Sequence, residues 1–249
     1  MKFKPLVFTF LCTSLLFGCS KEDTKKEPIK KENSVTQTNK EAANKSKTLK
    51  NVERFTGVIK DKEGKEYEIK IKPVKEEKTV VKSQYASTAQ GDTLYSGDYN
   101  LVLLSKGKEK QKIKLSNLTI NKDTALIKVI DGKRDLLLVG QSESSNTNWG
   151  YIFLIKNEKL VKLKNVTDDS DTLLFTETSV KEVQPYFYQT AFYDNTEAQW
   201  IYTMYKLDEK SNTLTVTNKE KYTYKDGANY YNSNFVHKQS TKLAETDEK

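Results

Sequence analysis

From Val52 onward the chain is a succession of short apolar or alternating runs separated by tight polar turns. This punctuation constrains the fold more than any other feature. Phe55-Thr56-Gly57-Val58-Ile59-Lys60 leads through Asp61-Lys62-Glu63-Gly64 into Tyr67-Glu68-Ile69-Lys70-Ile71, whose strict alternation marks a half-buried strand. The same layout recurs at 99–104 with 112–115, 125–130 with 135–139, and 149–155 with 160–163. It returns at 200–205, which turns near Ser211-Asn212 into Leu214-Thr215-Val216, with Tyr222-Thr223-Tyr224 extending that strand. Further strands are predicted over 172–177 and 188–193, and no segment sustains a 3.6-residue apolar period. The expected fold is therefore all-β. It is a single domain of repeated antiparallel hairpins over residues 52–243, propeller-like, sandwich or barrel, with 244–249 as a flexible tail.

The start of the chain has a different character. Lys2 and Lys4 precede an uncharged apolar run of 13 residues, Leu6 to Gly18, and then Cys19. A spanning helix needs about 20 apolar residues, so the run fits a cleaved export signal better than an anchor. Leu16-Phe17-Gly18-Cys19 resembles the lipobox of bacterial lipoproteins, with an apolar residue at −3, a small one at −1, and the cysteine that becomes the new N-terminus. Phe17 is bulkier than the residue usual at −2. The resemblance implies that residues 1–18 are removed and that Cys19 carries a diacylglycerol. Two acyl chains hold a protein stably on a bilayer where one alone is marginal.

Residues 19–51 read as a disordered tether. The stretch is rich in Lys, Glu, Asn, Ser and Thr and almost free of large apolar side chains, so it cannot offset the entropy of ordering. As a random coil it would hold the domain about 30 Å from the lipid.

Composition narrows the chemistry. Both cysteines, Cys12 and Cys19, lie in the signal and lipobox, so the domain has no disulfide or thiolate site. The single histidine, His237, is too few for His₃ or HExxH zinc. No cofactor or metal is implied. Of the 42 basic residues only Arg54 and Arg134 are arginine, a usage that suggests a low-GC Gram-positive source. The net charge of +8 falls to +6 without Lys2 and Lys4; Ser20–Asn51 holds +4 of that, leaving about +2 on the domain. A nucleic-acid binder concentrates charge on a folded face and uses arginine for base contacts, and this chain does neither.

Two acidic segments are candidate cation sites. Asp131-Gly132-Lys133-Arg134-Asp135, followed by Leu136-Leu137-Leu138-Val139, resembles the second half of the calcium loop in FG-GAP or integrin-α-type propeller repeats. The positions that would supply two more oxygens are Ile127 and Val129, and calcium needs six to eight. The plainer reading is a hairpin turn. Asp168-Asp169-Ser170-Asp171 reads as a polar loop.

The richest segment for function runs from Pro185 to Tyr205. With a period of two, Tyr186, Tyr188 and Phe192 share one face of their strand, and Trp200, Tyr202 and Met204 one face of the next. One face must be core. The other is a candidate stacking surface for a glycan or a protein partner, formed by Tyr186, Tyr188, Phe192, Trp200 and Tyr202 and extendable through Tyr222, Tyr224, Tyr230, Tyr231 and Phe235. No phosphate loop, GxSxG elbow or SxxK motif appears, so no catalytic residue is assigned. The expectation is a non-catalytic, lipid-anchored binding or structural module on the extracytoplasmic face of the cell membrane. The alternatives are a carboxylate-dependent hydrolase acting on envelope polysaccharide and a propeller-like accessory lipoprotein.

Overall fold

The structure, a computed structural model, describes residues 52–84, 88–124, 126–142, 147–165 and 171–236. The predicted signal and tether with Cys19, residues 168–170 of the acidic segment, His237 and the predicted tail lie outside the described residues.

The hairpins assemble into three sheets. The first is an antiparallel meander of β1 (Phe55–Lys60), β2 (Glu66–Val80), β3 (Thr93–Ser105) and β4 (Lys108–Asn121). The second contains β5 (Ile127–Ile130), β6 (Leu136–Ser142) and β7 (Asn148–Lys156). Its far edge is shared by β8 (Lys159–Lys162) beside one half of β7 and β10 (Thr172–Phe175) beside the other. The third is the meander β11 (Val180–Gln184), β12 (Phe187–Asp194), β13 (Gln199–Asp208) and β14 (Thr213–Thr223), with the short β9 (Lys164–Asn165) parallel to β14. None of these sheets closes into a barrel.

The cores show how the sheets stack. One cluster joins Ile59, Tyr67, Ile69, Ile71, Leu101 and Leu103 of the first sheet to Leu137, Val139, Phe153 and Ile155 of the second. Another joins Leu136, Leu138, Ile152 and Leu154 of the second sheet to Val180, Tyr188, Tyr205, Leu207 and Leu214 of the third. The middle sheet is thus buried on both faces. This accounts for the uninterrupted apolar runs Leu136–Val139 and Ile152–Ile155, all at most 2 % exposed, against the alternation of β2. Each such side chain contributes about 1.5–3 kcal/mol on burial, so the middle layer supplies much of the cohesion.

Two features depart from the sequence reading. β2 continues past Ile71 through Pro73 to Val80. Pro73 pairs with Tyr99 of β3, and β1 begins at Phe55, opposite Ile71, so the missing N–H of proline falls where β2 has no neighbour on that side. Among the described residues there is one helix, α1 (Tyr224–Asn234), where the sequence predicts strand continuing into Tyr224. Thr223 caps it by accepting from Asp226 N (3.3 Å), and its hydroxyl donates to the Asp226 carboxylate (2.8 Å).

Candidate functional site

Hairpin turns from all three sheets meet at one end of the stack. The centre of this end is the turn Asp131–Asp135. The Asp135 carboxylate accepts from Lys60 N of β1 (3.0 Å) and Gly132 N (3.4 Å). The Glu182 carboxylate of β11 accepts from Lys133 N (2.7 Å) and Tyr186 N (2.9 Å). Tyr188 of β12 donates its hydroxyl to Arg134 O (2.5 Å), and burial pushes that phenol well above its usual range.

The Arg134 side chain, 2 % exposed, donates from Nη2 to Ile155 O at the end of β7. It pairs through Nε with Glu209 in the β13–β14 turn (2.9 Å). Its Nη1 has no partner among the described residues. A planar, permanently charged fork can tie three elements at once where an ammonium cannot. Arg54, the other arginine, does similar work at the start of β1: it pairs with Glu76 through two nitrogens and lies over the Tyr95 ring, 3.4 Å from its centroid.

Around Arg134 lies a cavity of about 360 Å³, also lined by Asp61, Lys65, Lys156, Glu158 and Glu209. Its charges are matched within the fold. Lys65 and Glu158 form an ion pair that holds the Glu158 carboxyl below the usual range, with Lys110 3.6 Å away. Asp61 accepts from Glu63 N, Lys65 N and the Tyr67 hydroxyl. Lys156 donates to Glu209 O (2.6 Å) and Asn212 Oδ1 (2.9 Å). A general acid for glycoside cleavage needs its pKa displaced upward, opposite to Glu158.

On the rim of the same end, a broader cleft of about 740 Å³ is lined by Tyr186, Lys206, Asp208, Lys210, Thr215 and Thr217, with Glu209 between the two spaces. Tyr186 sits in the two-residue loop between Gln184 and Phe187, at φ +66°. Pro185 before it has φ fixed near −65°, so the positive φ falls on the tyrosine. A turn of this kind, with proline first and positive φ second, favours glycine or asparagine at the second position. A bulky side chain there costs of order 1 kcal/mol or more. The backbone of Tyr186 is well used: N donates to Glu182, and O accepts from Leu207 N (2.9 Å). Its ring makes no hydrogen bond or ring contact among the described residues and is 37 % exposed.

The other aromatics of this region do not share that exposure. Tyr188 is fully buried on the face of the third sheet that packs against the second, and Phe192 follows it on the same face, half-buried. Trp200 and Tyr202 point the other way, where register places Tyr193 beside Trp200 and Ala191 beside Tyr202. That face is covered by α1. Trp200 stacks on Tyr231 (4.8 Å between centroids), Tyr202 meets Tyr230 edge-on (4.6 Å), and Tyr202 donates to Gly227 O (2.6 Å). Tyr231 donates to Glu177 (2.6 Å). A Cβ at Gly227 would lie 2.4 Å from Trp200 Cβ, so only glycine lets the helix approach this closely. Of the five predicted surface residues, Tyr186 alone is open, and the five occupy two opposite faces and a loop. The sequence reading missed Arg134, Glu182 and Glu209; the signal for Arg134 was its rarity, one of two arginines in a chain that otherwise uses lysine.

No protein-family model, curated protein or solved structure matches the chain. In the acidic loop, Asp171 pairs with Lys162 (2.5 Å).

Proposed function

We propose that this chain is a lipoprotein held on the extracytoplasmic face of the cell membrane, and that its β domain is a non-catalytic binding module for an envelope component. The observation that carries the reading is the ordered lipobox Leu16-Phe17-Gly18-Cys19, followed by a polar segment of 32 residues before the domain begins. The described domain supports a binding role: three stacked sheets hold a cluster of turns rigidly at one end, and loops on a rigid scaffold are where recognition concentrates. The hydrolase alternative gains no support from Asp61, Asp135, Glu158, Glu182 and Glu209 at that end, which are engaged with lysine, arginine or backbone N–H groups.

The test is Cys19→Ala expressed in a lipoprotein-processing bacterium. The variant is expected to leave the detergent phase and the membrane fraction, and intact mass of the wild-type product is expected to show a diacylated N-terminal cysteine. A variant that stays membrane-bound, or a wild-type chain still beginning at Met1, overturns the reading.

A further inference from the structure

We infer that Tyr186 is the stacking platform of a ligand site at the turn end of the domain, and that the ligand is a neutral glycan segment presenting a sugar ring to it. The inference deepens the binding reading above and rests on it for the setting, an envelope rich in glycan.

Three observations converge on the residue. Its backbone is held at φ +66° after a proline, in a position that glycine would occupy without strain. Its ring contributes no hydrogen bond or ring contact to the described fold, so no such contact fixes a tyrosine there. The ring lines the open cleft of about 740 Å³ and is 37 % exposed. Positive φ recurs at Lys106, Glu158, Glu177 and Ala198, so what sets Tyr186 apart is an open aromatic ring on such a backbone. The loop is also well braced, since Glu182 and Leu207 hold both backbone groups of Tyr186. A platform so fixed loses little entropy on binding.

The cleft selects the class of ligand. Beside the ring it presents Lys206 and Lys210 against Asp208 and Glu209, with the hydroxyls of Thr215 and Thr217. A polyanion would meet the Asp208 carboxylate beside the two ammoniums, with Glu209 already paired to Arg134. A purely apolar ligand would leave these donors and acceptors desolvated and unpaired. A sugar ring offers a C–H face to the aromatic and a hydroxyl and amide edge to the polar side chains, and so satisfies both.

The experiment is calorimetric titration of the full chain, purified in detergent, with the β-1,4-linked tetramer of N-acetylglucosamine, alongside Tyr186→Phe and Tyr186→Gly. Saturable binding is expected for the wild type and for Tyr186→Phe, which keeps the ring. Tyr186→Gly is expected to lose at least tenfold in affinity while its Tm rises by about 2–4 °C, because the strain is relieved. A merely structural tyrosine would give the opposite sign in Tm. The inference is overturned if the wild type does not bind the tetramer, if Tyr186→Gly binds as well as wild type, or if Tyr186→Gly melts lower. Titration in detergent does not depend on acylation of Cys19, so failure here leaves the membrane-anchor reading standing, and failure of Cys19→Ala leaves this one testable.

Discussion

The two outer sheets flank the same middle layer but finish their outward faces by different means. On the first sheet the outward positions carry lysines and acids that pair with one another: Lys70 with Glu53 and Glu68 (both 3.1 Å), Lys72 with Glu53, Lys112 with Glu109, and Lys114 with Asp98. Val102 lies among them at 4 % exposure, with Lys70 and Lys112 as its register neighbours, whose aliphatic stems shield it while their charges stay in water. On the third sheet the outward positions carry Tyr193, Trp200, Tyr202 and Tyr222, and the chain folds its only described helix over them. A charged face needs only water and its own partners. An aromatic face needs a cover, and close approach of that cover requires glycine at 227.

Three substitutions test this contrast. The largest effect is expected from Arg134→Ala, which removes the tie linking the middle sheet to the turn of the third. It leaves Ile155 O and Glu209 without their partner, and the loss should be about 3 kcal/mol, below the figure for a fully buried pair because Glu209 is partly exposed. Urea unfolding measures it, and a loss under 1 kcal/mol would mean that the sheets do not depend on this junction.

Gly227→Leu comes next. It pushes a side chain into Trp200 and should cost about 2 kcal/mol, with amide exchange accelerated across 224–234 but not across the first sheet. Unchanged exchange in the helix would show that the aromatic face does not rely on its cover.

The smallest effect is expected from Lys70→Gln on the charged face. The Lys70 pKa is raised by hydrogen bonds to Glu68 and Glu53, yet the pairs are solvent-screened. The change in stability should be at the edge of detection by urea unfolding and shrink further in salt. A large, salt-insensitive loss would mean that the two faces are built alike.

Much of the strand content was legible because it depends on local alternation and turn residues. The hairpins at 55–71, 99–115 and 149–163 follow the predicted runs, and the all-β expectation holds. The continuation of β2 beyond Pro73 was not legible, since whether proline breaks a strand depends on whether a neighbour needs its N–H. Nor was α1, whose buried residues are Gly227 and Tyr231 in a polar setting with little apolar periodicity. It is helical because the aromatic face beneath it rewards burial.

For the candidate surface, the alternation correctly separated Tyr188 from Tyr193 and Trp200 from Tyr205. It could not tell that Tyr188 and Trp200 face opposite ways. That phase is set by the β12–β13 register, which pairs Tyr188 with Tyr205 and Tyr193 with Trp200.

The sequence by itself determined where strands begin and turn, and which residues share a face of one strand, because these follow from neighbours a few positions apart. Tertiary structure alone decided which faces became interior, that the turn at 131–135 joins three sheets, and that Tyr186 stays open while Tyr188, Trp200 and Tyr202 are enclosed. Burial depends on what arrives from far along the chain, and no local pattern records that arrival.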